Sequence, residues 1–253
     1  MTLKKNKTRT FVSSREIEHG ACYERIQMQH SPSISVVIPT LNAAAQLAAT
    51  LKSIGGGTGD VIISDGGSTD DTCAIASAAG ARMVSSEKGR GQQLGTGAAA
   101  ATGDWLLFLH ADTVLPEDWF ATASIFAAAP ENADRAAVFT FALDDPSPQA
   151  RRMERLVAWR TRRLGLPYGD QGLLISRDHY GRLGGFSPIP LMEDVDIVRR
   201  IGRANLEILA SRAVTSAERY RRGGWWGRPI RNICCLGFYF LGVPPRILVR
   251  LYR

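Results

Sequence analysis

The stretch Ile34–Asn42, ISVVIPTLN, decides the fold class. Its first six residues form a short β-branched run of the kind found in strands buried on both faces. Asn42 is the expected N-cap of a helix whose Leu47, Leu51 and Ile54 recur at i, i+4 and i+7, and Gly55 to Gly57 stops that helix. The unit then repeats. Val61–Ser64 reads as a second strand and Asp65-Gly66-Gly67 as a turn. Ser68 opens a helix with Asp71 three residues on, a capping-box arrangement, and Gly80 ends it. Ala81–Ser85 follows as a third strand, and residues 88–102 as a Gly/Ala-rich segment helical in its second half. Trp105–Leu109, WLLFL, is a fourth strand, with a helix after Pro116 and another strand over Val138–Leu143. Strands alternating with helices at this spacing imply a doubly wound, mostly parallel α/β sheet with helices on both faces.

Beyond residue 150 the order changes. An Arg-rich helix over about 148–164, a strand at Leu173–Ser176, a helix from near Glu193 and a β segment at Leu206–Leu209 are expected. Residues 1–33 show little periodicity and read as an N-terminal arm. Residues 34–215 read as the main domain and 216–253 as a basic amphipathic C-terminal segment. At 253 residues and 45% hydrophobic, the chain can bury a full core, and its composition excludes disorder, collagen-like repeats and a disulfide scaffold. No uncharged apolar run reaches the ~20 residues of a bilayer span. No apolar segment follows the basic MTLKKNKTRT, so a secretory signal is not expected and a cytoplasmic location is. Cys22, Cys73, Cys234 and Cys235 lack metal-ligand spacing and read as inert thiols.

The net charge of +7 is unevenly spread. Residues 34–150 carry 5 basic and 13 acidic groups, whereas residues 199–253 carry 12 arginines against Glu207 and Glu218. A nucleic-acid binder carries its basic stripe on the main folded unit, so no nucleic-acid partner is expected. An acidic half that holds a divalent cation, joined to a basic interfacial tail, accounts for the split.

In open α/β sheets, ligands bind beyond the carboxyl ends of the strands. Three such ends carry polar groups here: Thr40-Leu41-Asn42, Asp65 to Ser68, and His110-Ala111-Asp112-Thr113. Neither G-x-G-x-x-G nor a P-loop is present; P-T-L-N stands after the first strand. Each piece has an ordinary structural reading too. Asp at a strand end is commonly a turn or cap residue, Lys88-Gly89-Arg90-Gly91 reads as a solvated loop, and acids in a first helical turn are favoured by the helix dipole. Against this, Glu193, Asp194 and Asp196 crowd one helix start, and such repulsion raises one pKa toward that of a working base.

Taken together, VVIPTLN, SDGGSTDDT, FLHADT and MEDVDIVRR, in this order and spacing, resemble the family two glycosyltransferases of the GT-A fold. The resemblance covers roughly residues 34–210. The whole chain is similar to a small bacterial subgroup with HADT at the metal motif and a C-terminal L-G-V-x-P…L-Y-R, some of whose members are arsenosugar-biosynthesis glycosyltransferases. The resemblance implies an inverting, nucleotide-sugar-dependent hexosyltransferase. Pro39, Thr40 and Asn42 would line the base and ribose pocket, Asp65 would accept from a uracil or guanine ring N–H, and Arg90 would approach the phosphates. His110 and Ala111 would also contact the nucleotide-sugar. Asp112 would coordinate Mg²⁺ or Mn²⁺, Asp194 would deprotonate the acceptor and Glu193 would orient it. His110 departs from the family, which has Asp at this place; an imidazole adds no negative charge at neutral pH. Asp170 and Gln171 are weaker acceptor-pocket candidates, as is Trp225, which stands near where the family's Q-x-x-R-W is missing.

The expected partners are a UDP- or GDP-linked donor and a hydroxyl acceptor, a lipid-linked one included. A nucleotidyltransferase and a non-catalytic sugar-nucleotide-binding or membrane-associated protein remain as alternatives. The tail keeps three readings. Ile233–Val243 is uncharged for eleven residues, about half a span, and is flanked by Trp225, Trp226, Arg228, Arg231, Arg246 and Arg250. It resembles an interfacial segment on an anionic membrane, peripheral on the inner face of the plasma membrane. Docking on the core and contact with a second subunit of a homodimer are the rivals.

Overall fold

The alternating side chains of β1 (Ile34–Thr40) divide the core in two. Ile34, Val36 and Ile38 face one apolar cluster; Val37 faces the other. The computed structural model describes residues 32–225 and 227–252, so all of the expected N-terminal arm but Pro32 and Ser33 lies outside them, as do Cys22 and Trp226. From β1 the chain runs through α1 (Ala44–Ile54), β2 (Asp60–Asp65), α2 (Thr72–Ala78), β3 (Arg82–Ser85), α3 (Arg90–Ala100) and β4 (Trp105–Phe108). There follow β5 (Thr113–Val114), α4 (Trp119–Ala128), β6 (Ala136–Leu143), α5 (Pro148–Leu164), β7 (Leu173–Ser176) and α6 (Arg177–Arg182). The last elements are α7 (Glu193–Ile201), β8 (Leu206–Thr215), α8 (Glu218–Gly223), α9 (Gly227–Phe240) and α10 (Pro245–Tyr252).

The eight strands form one sheet in the order β3-β2-β1-β4-β7-β6-β8-β5. β2, β3 and β4 continue the direction of β1, and β8 runs parallel to β6, as a doubly wound sheet requires. β7 is the exception that matters. It runs antiparallel between β4 and β6, and its first residue, Leu173, pairs with Phe108 at the carboxyl end of β4. The loop before β7 therefore arrives at the same edge as the polar ends of β1, β2 and β4. β8 ends there too, with Thr215 paired to Leu143 and Thr113.

Helices cover both faces. α1, α2 and α4 pack on one cluster through Leu47, Ile54, Ala76, Trp119 and Phe126. α3 and α7 pack on the other through Leu94, Ala98, Val195 and Ile197. α3 lies close to the sheet because Gly97 has no side chain; a Cβ there would collide with Val37 Cγ1.

Several sequence expectations are corrected. Asn42 does not cap α1; Ala43 holds that position without a side-chain hydrogen bond. Asn42 instead adopts φ 52° and accepts the N–H of Thr69 through Oδ1 at 2.8 Å, tying two loops together. Ser68 forms no capping box, because α2 begins only at Thr72, and the Ser68 hydroxyl is held by Asp65. α3 starts at Arg90 rather than midway through its segment, and β8 runs six residues further, since pairing with β6 and β5 outweighs its polar sequence.

The tail docks by one face. Cys235 and Leu248 are fully buried in the second cluster, with Leu236, Tyr239 and Val243 against it. Its other face leaves Phe238, Phe240, Leu241, Ile247 and Leu251 exposed. Among the described residues, no helix is long and apolar enough to cross a membrane.

The close α3–sheet contact yields a stability test. Gly97→Val forces a branched side chain onto Val37 and is expected to cost about 1–3 kcal/mol, the scale of core overpacking. Chemical denaturation measures it, and an unchanged midpoint would mean the helix does not sit this close.

Candidate active site

The loops at the carboxyl edge of the sheet are organised by two buried polar residues. Asp65, at the end of β2, accepts hydrogen bonds from Thr40 Oγ1 (2.9 Å), Ser68 Oγ (2.5 Å), Gly67 N (2.9 Å) and Ser68 N (2.8 Å). Burial alone would raise its pKa, but these bonds from Ser68, Thr40 and Gly67 outweigh it and hold the carboxyl below the usual range. Gln93, on α3, donates through Nε2 to Thr40 O (2.6 Å) and Ser64 O (3.0 Å), so it straps the ends of β1 and β2. Nothing in the pattern of a Gly/Ala-rich segment singles Gln93 out.

Beside this strap lies a cavity of about 380 Å³. Pro39, Thr40, Asn42, Arg90, His110, Ala111, Asp112 and Glu193 all line it. Asp65 does not: its oxygens are committed to the loop. Arg90 stands at the first turn of α3, where backbone N–H groups and the helix dipole favour an anion. Lys88 adds a second cation to the wall, and Val249 of α10 closes one side. The tail is thus part of this cavity, not merely an appendage to it.

A second, more polar cavity of about 110 Å³ shares Arg90, His110 and Asp112 with the first and adds Tyr168, Asp170, Asp194, Thr215, Ser216, Tyr220 and Asn232. His110 Nδ1 lies 4.0 Å from Asp112 Oδ1. The turn Gly169–Gln171 packs beneath the imidazole so tightly that a Cβ on Gly169 would collide with His110 Nε2. The N–H of Gly169 donates to Asp194 Oδ2 at 3.1 Å, while Asp194 Oδ1 accepts from Val195 N at 2.8 Å. Gly169 is thus a positioning residue that the motif pattern did not reveal. Its one signal in the sequence is its place directly before Asp170.

The three acids at the start of α7 part company. Asp196 accepts from Ser187 Oγ (2.7 Å) and pairs with Arg200 (2.6 Å), away from both cavities. Met192, in the left-handed region at φ 68°, turns the chain so that Glu193 and Asp194 begin the helix facing inward. Glu193 is 2% exposed, with Oε1 3.4 Å from Arg90 Nη1. Burial first, and the adjacent Asp194 charge second, push its pKa up to about 7 despite Arg90. The raised pKa expected from crowding therefore falls on Glu193. Asp170 is likewise raised, to about 6, by burial and then by Asp194 and Asp112, with Arg160 opposing. Its Oδ1 has no hydrogen-bond partner among the described residues.

Two weaker candidates are not at the site. Gln171 is fully engaged in the interior, accepting from Thr161 Oγ1 (2.9 Å) and donating to Phe139 O (3.1 Å). Trp225 stacks on Tyr220, ring centres 5.7 Å apart, and it is Tyr220 that lines the cavity.

The sequence of residues 35–180 matches the model of Glycosyl transferase family 2, more than half of the chain. The chain belongs to that family. It is 41% identical over 115 residues to a PGL/p-HBAD biosynthesis glycosyltransferase of Mycobacterium bovis, a match covering 41% of this chain and 45% of that protein. It is 38% identical over 101 residues to the glucosyl-3-phosphoglycerate synthase of Mycobacterium tuberculosis, covering 35% and 31%. The chain thus spans less than half the length of these curated relatives. Among solved structures, that synthase in complex with Mn²⁺, UDP and glucosyl-3-phosphoglycerate superposes with a TM-score of 0.53 at 21% identity, over 90% of this chain and 85% of that one. Staphylococcus aureus TarS with UDP-GlcNAc gives 0.56 at 15% identity, over 73% and 58%. These two likenesses establish the GT-A-like fold.

Glu193 sets a pH signature. Its pKa is near 7 folded and near 4.5 unfolded, so between these values the folded state holds the extra proton and stability falls as pH rises. Glu193→Gln should flatten the stability–pH curve between about pH 4.5 and 7, as read by denaturation midpoints. A slope unchanged by the substitution would refute the buried, protonated assignment.

Proposed function

We propose that this protein is an inverting, metal-dependent glycosyltransferase that moves a hexosyl group from a UDP- or GDP-linked donor to a hydroxyl acceptor. The observation that carries the reading is the shared wall of Arg90, His110 and Asp112 between the larger cavity and the one that holds Asp194. The larger cavity suits a nucleotide: polar strand ends at Thr40 and Asn42 for base and ribose, and Arg90 with a helix N-terminus for the diphosphate. UDP is favoured over GDP because the synthase and TarS structures carry UDP or a UDP-sugar.

The donor set at Asp112 fits a hard divalent cation. The Asp112 carboxylate, with His110 Nδ1 4.0 Å from it, suits an ion held by one carboxylate and otherwise by diphosphate and water. Mg²⁺ or Mn²⁺, when bound, offsets the charge of the departing diphosphate. Asp194, oriented by the Gly169 N–H, accepts the proton of the acceptor hydroxyl. The acceptor oxygen forms its bond to the sugar C1 as the C1–O bond to the diphosphate breaks, the electron pair leaving with the nucleotide. One base and no covalent nucleophile suffice for this single displacement. Glu193, buried against Arg90, keeps that guanidinium beside the diphosphate site. Asp65 serves the base pocket through the loop it holds. The HADT sequence at 110–113 and the LGVPP…LYR ending support membership of the small bacterial subgroup that includes arsenosugar-biosynthesis enzymes.

Two variants test the roles. Asp112→Ala should weaken Mn²⁺-dependent UDP binding at least tenfold by calorimetry; unchanged affinity would sink the metal assignment. Asp194→Asn should leave UDP affinity intact while kcat falls ~10²–10⁴-fold, the scale of a lost general base. A change confined to KM would make Asp194 a binding residue.

A further inference from the structure

We propose that the acceptor is an amphiphilic alcohol whose hydroxyl reaches Asp194 and whose apolar body lies in a groove between α5 and α9. This rests on the glycosyltransferase reading above and names its acceptor class. A cavity of about 230 Å³ opens beside the one that holds Asp194, and the two share Tyr168, Asp170, Tyr220 and Asn232. The groove is therefore continuous with the site of proton transfer, on the side away from the nucleotide cavity. Its walls are mostly aliphatic and aromatic, with Met153, Leu156, Val157 and Trp159 from α5 and Ile233 and Leu236 from α9, and Arg160 is the charged side chain among them. It is larger than the ~150 Å³ apolar cavity that accepts a benzene ring.

The rim carries the same chemistry outward. Leu156, Trp159 and Ile233 are 38%, 54% and 58% exposed, so apolar surface lies open to water along the mouth of the groove. Scattered apolar side chains need no explanation, but a contiguous set at the mouth of a pocket marks a binding surface. Apart from Arg160, whose guanidinium lies 3.5 Å from the centre of the Tyr168 ring, the polar side chains of the groove sit at its junction with the acid cavity. Asp170 Oδ1 and Asn232 Oδ1 are both buried there without a hydrogen-bond partner among the described residues. Both are acceptors, while Arg160 Nη2 is a donor buried without a hydrogen-bond partner among the described residues, and an alcohol hydroxyl entering from the groove both donates and accepts. A fully hydrophilic acceptor would leave the rest of the groove uncovered and its own hydroxyls unpaired along apolar walls.

The test is a chain-length series. Ethanol, 1-butanol, 1-hexanol and 1-octanol are titrated into the full chain with UDP and Mn²⁺ present, binding being read by ligand-observed NMR. Each methylene taken from water into the groove should tighten binding about fourfold, flattening once the groove is filled. Leu156→Glu with Ile233→Glu, both at exposed rim positions, should weaken 1-octanol at least tenfold. Ile125→Glu, on the exposed face of α4 far along the chain, should leave the series unchanged. Equal affinity for ethanol and 1-octanol, or an unaffected rim variant, would overturn the proposal. So would a flat series in a protein that sediments with phosphatidylglycerol vesicles and loses this in the rim variant, since the face would then contact a membrane. Calorimetry with UDP and Mn²⁺ separates the two readings. Normal UDP binding with a flat series overturns only the groove, whereas a normal series without UDP binding overturns the donor site and the acceptor role with it.

Discussion

The site depends on the antiparallel course of β7. In a purely parallel sheet the loop before that strand would emerge at the opposite edge. Because β7 is reversed, Leu173 meets Phe108, and the turn at Gly169 comes to rest against His110 and beside the start of α7. The single hydrogen bond from Gly169 N to Asp194 then ties together the end of β4, the loop before β7 and the helix that carries the acids. A side chain on Gly169 would displace His110, so the contact admits only glycine without rearrangement. The strand-end motifs provide the groups; this reversal brings them within reach of one another.

Charge at the site is arranged by unequal burial. Asp65, wrapped in four hydrogen bonds, is held ionised and spends its charge on the loop. Glu193, buried with a guanidinium on one side and a carboxylate on the other, is pushed toward neutrality, and Asp170 moves the same way. Asp196 is held in an ion pair with Arg200. Four nearby acids that look alike in the sequence therefore sit in unlike surroundings. The basic tail participates through Val249 in one cavity and Asn232 in the next, which makes it a wall of the site as well as an outward apolar surface.

Much of this was legible in the sequence, and the reasons differ by element. The helix over about 148–164 and the strand at 173–176 are readable, because Pro148 and Gly165 punctuate one and the apolar run Leu173–Ile175 after Gly172 marks the other. Asn42 and Ser68 do not cap their helices because each side chain has a partner in the other's loop, which local spacing does not encode. Strand β8 was read short because its second half alternates with arginine and serine, and only its pairing with β6 reveals it. At the site, residues next to strand ends could be named in advance. Gln93, Gly169, Tyr220 and Asn232 could not, since each comes to its cavity through tertiary packing from an unremarkable helix or turn.

In the proposed enzyme, nucleotide, metal and base meet across Arg90, His110 and Asp112. A crystal structure of the protein with UDP and Mn²⁺, with the metal located by anomalous scattering, tests it most directly. Mn²⁺ is expected within coordination distance of the Asp112 carboxylate, with the diphosphate against Arg90 and the uridine beside Thr40. Metal bound away from Asp112, or UDP seated outside that cavity, would contradict it.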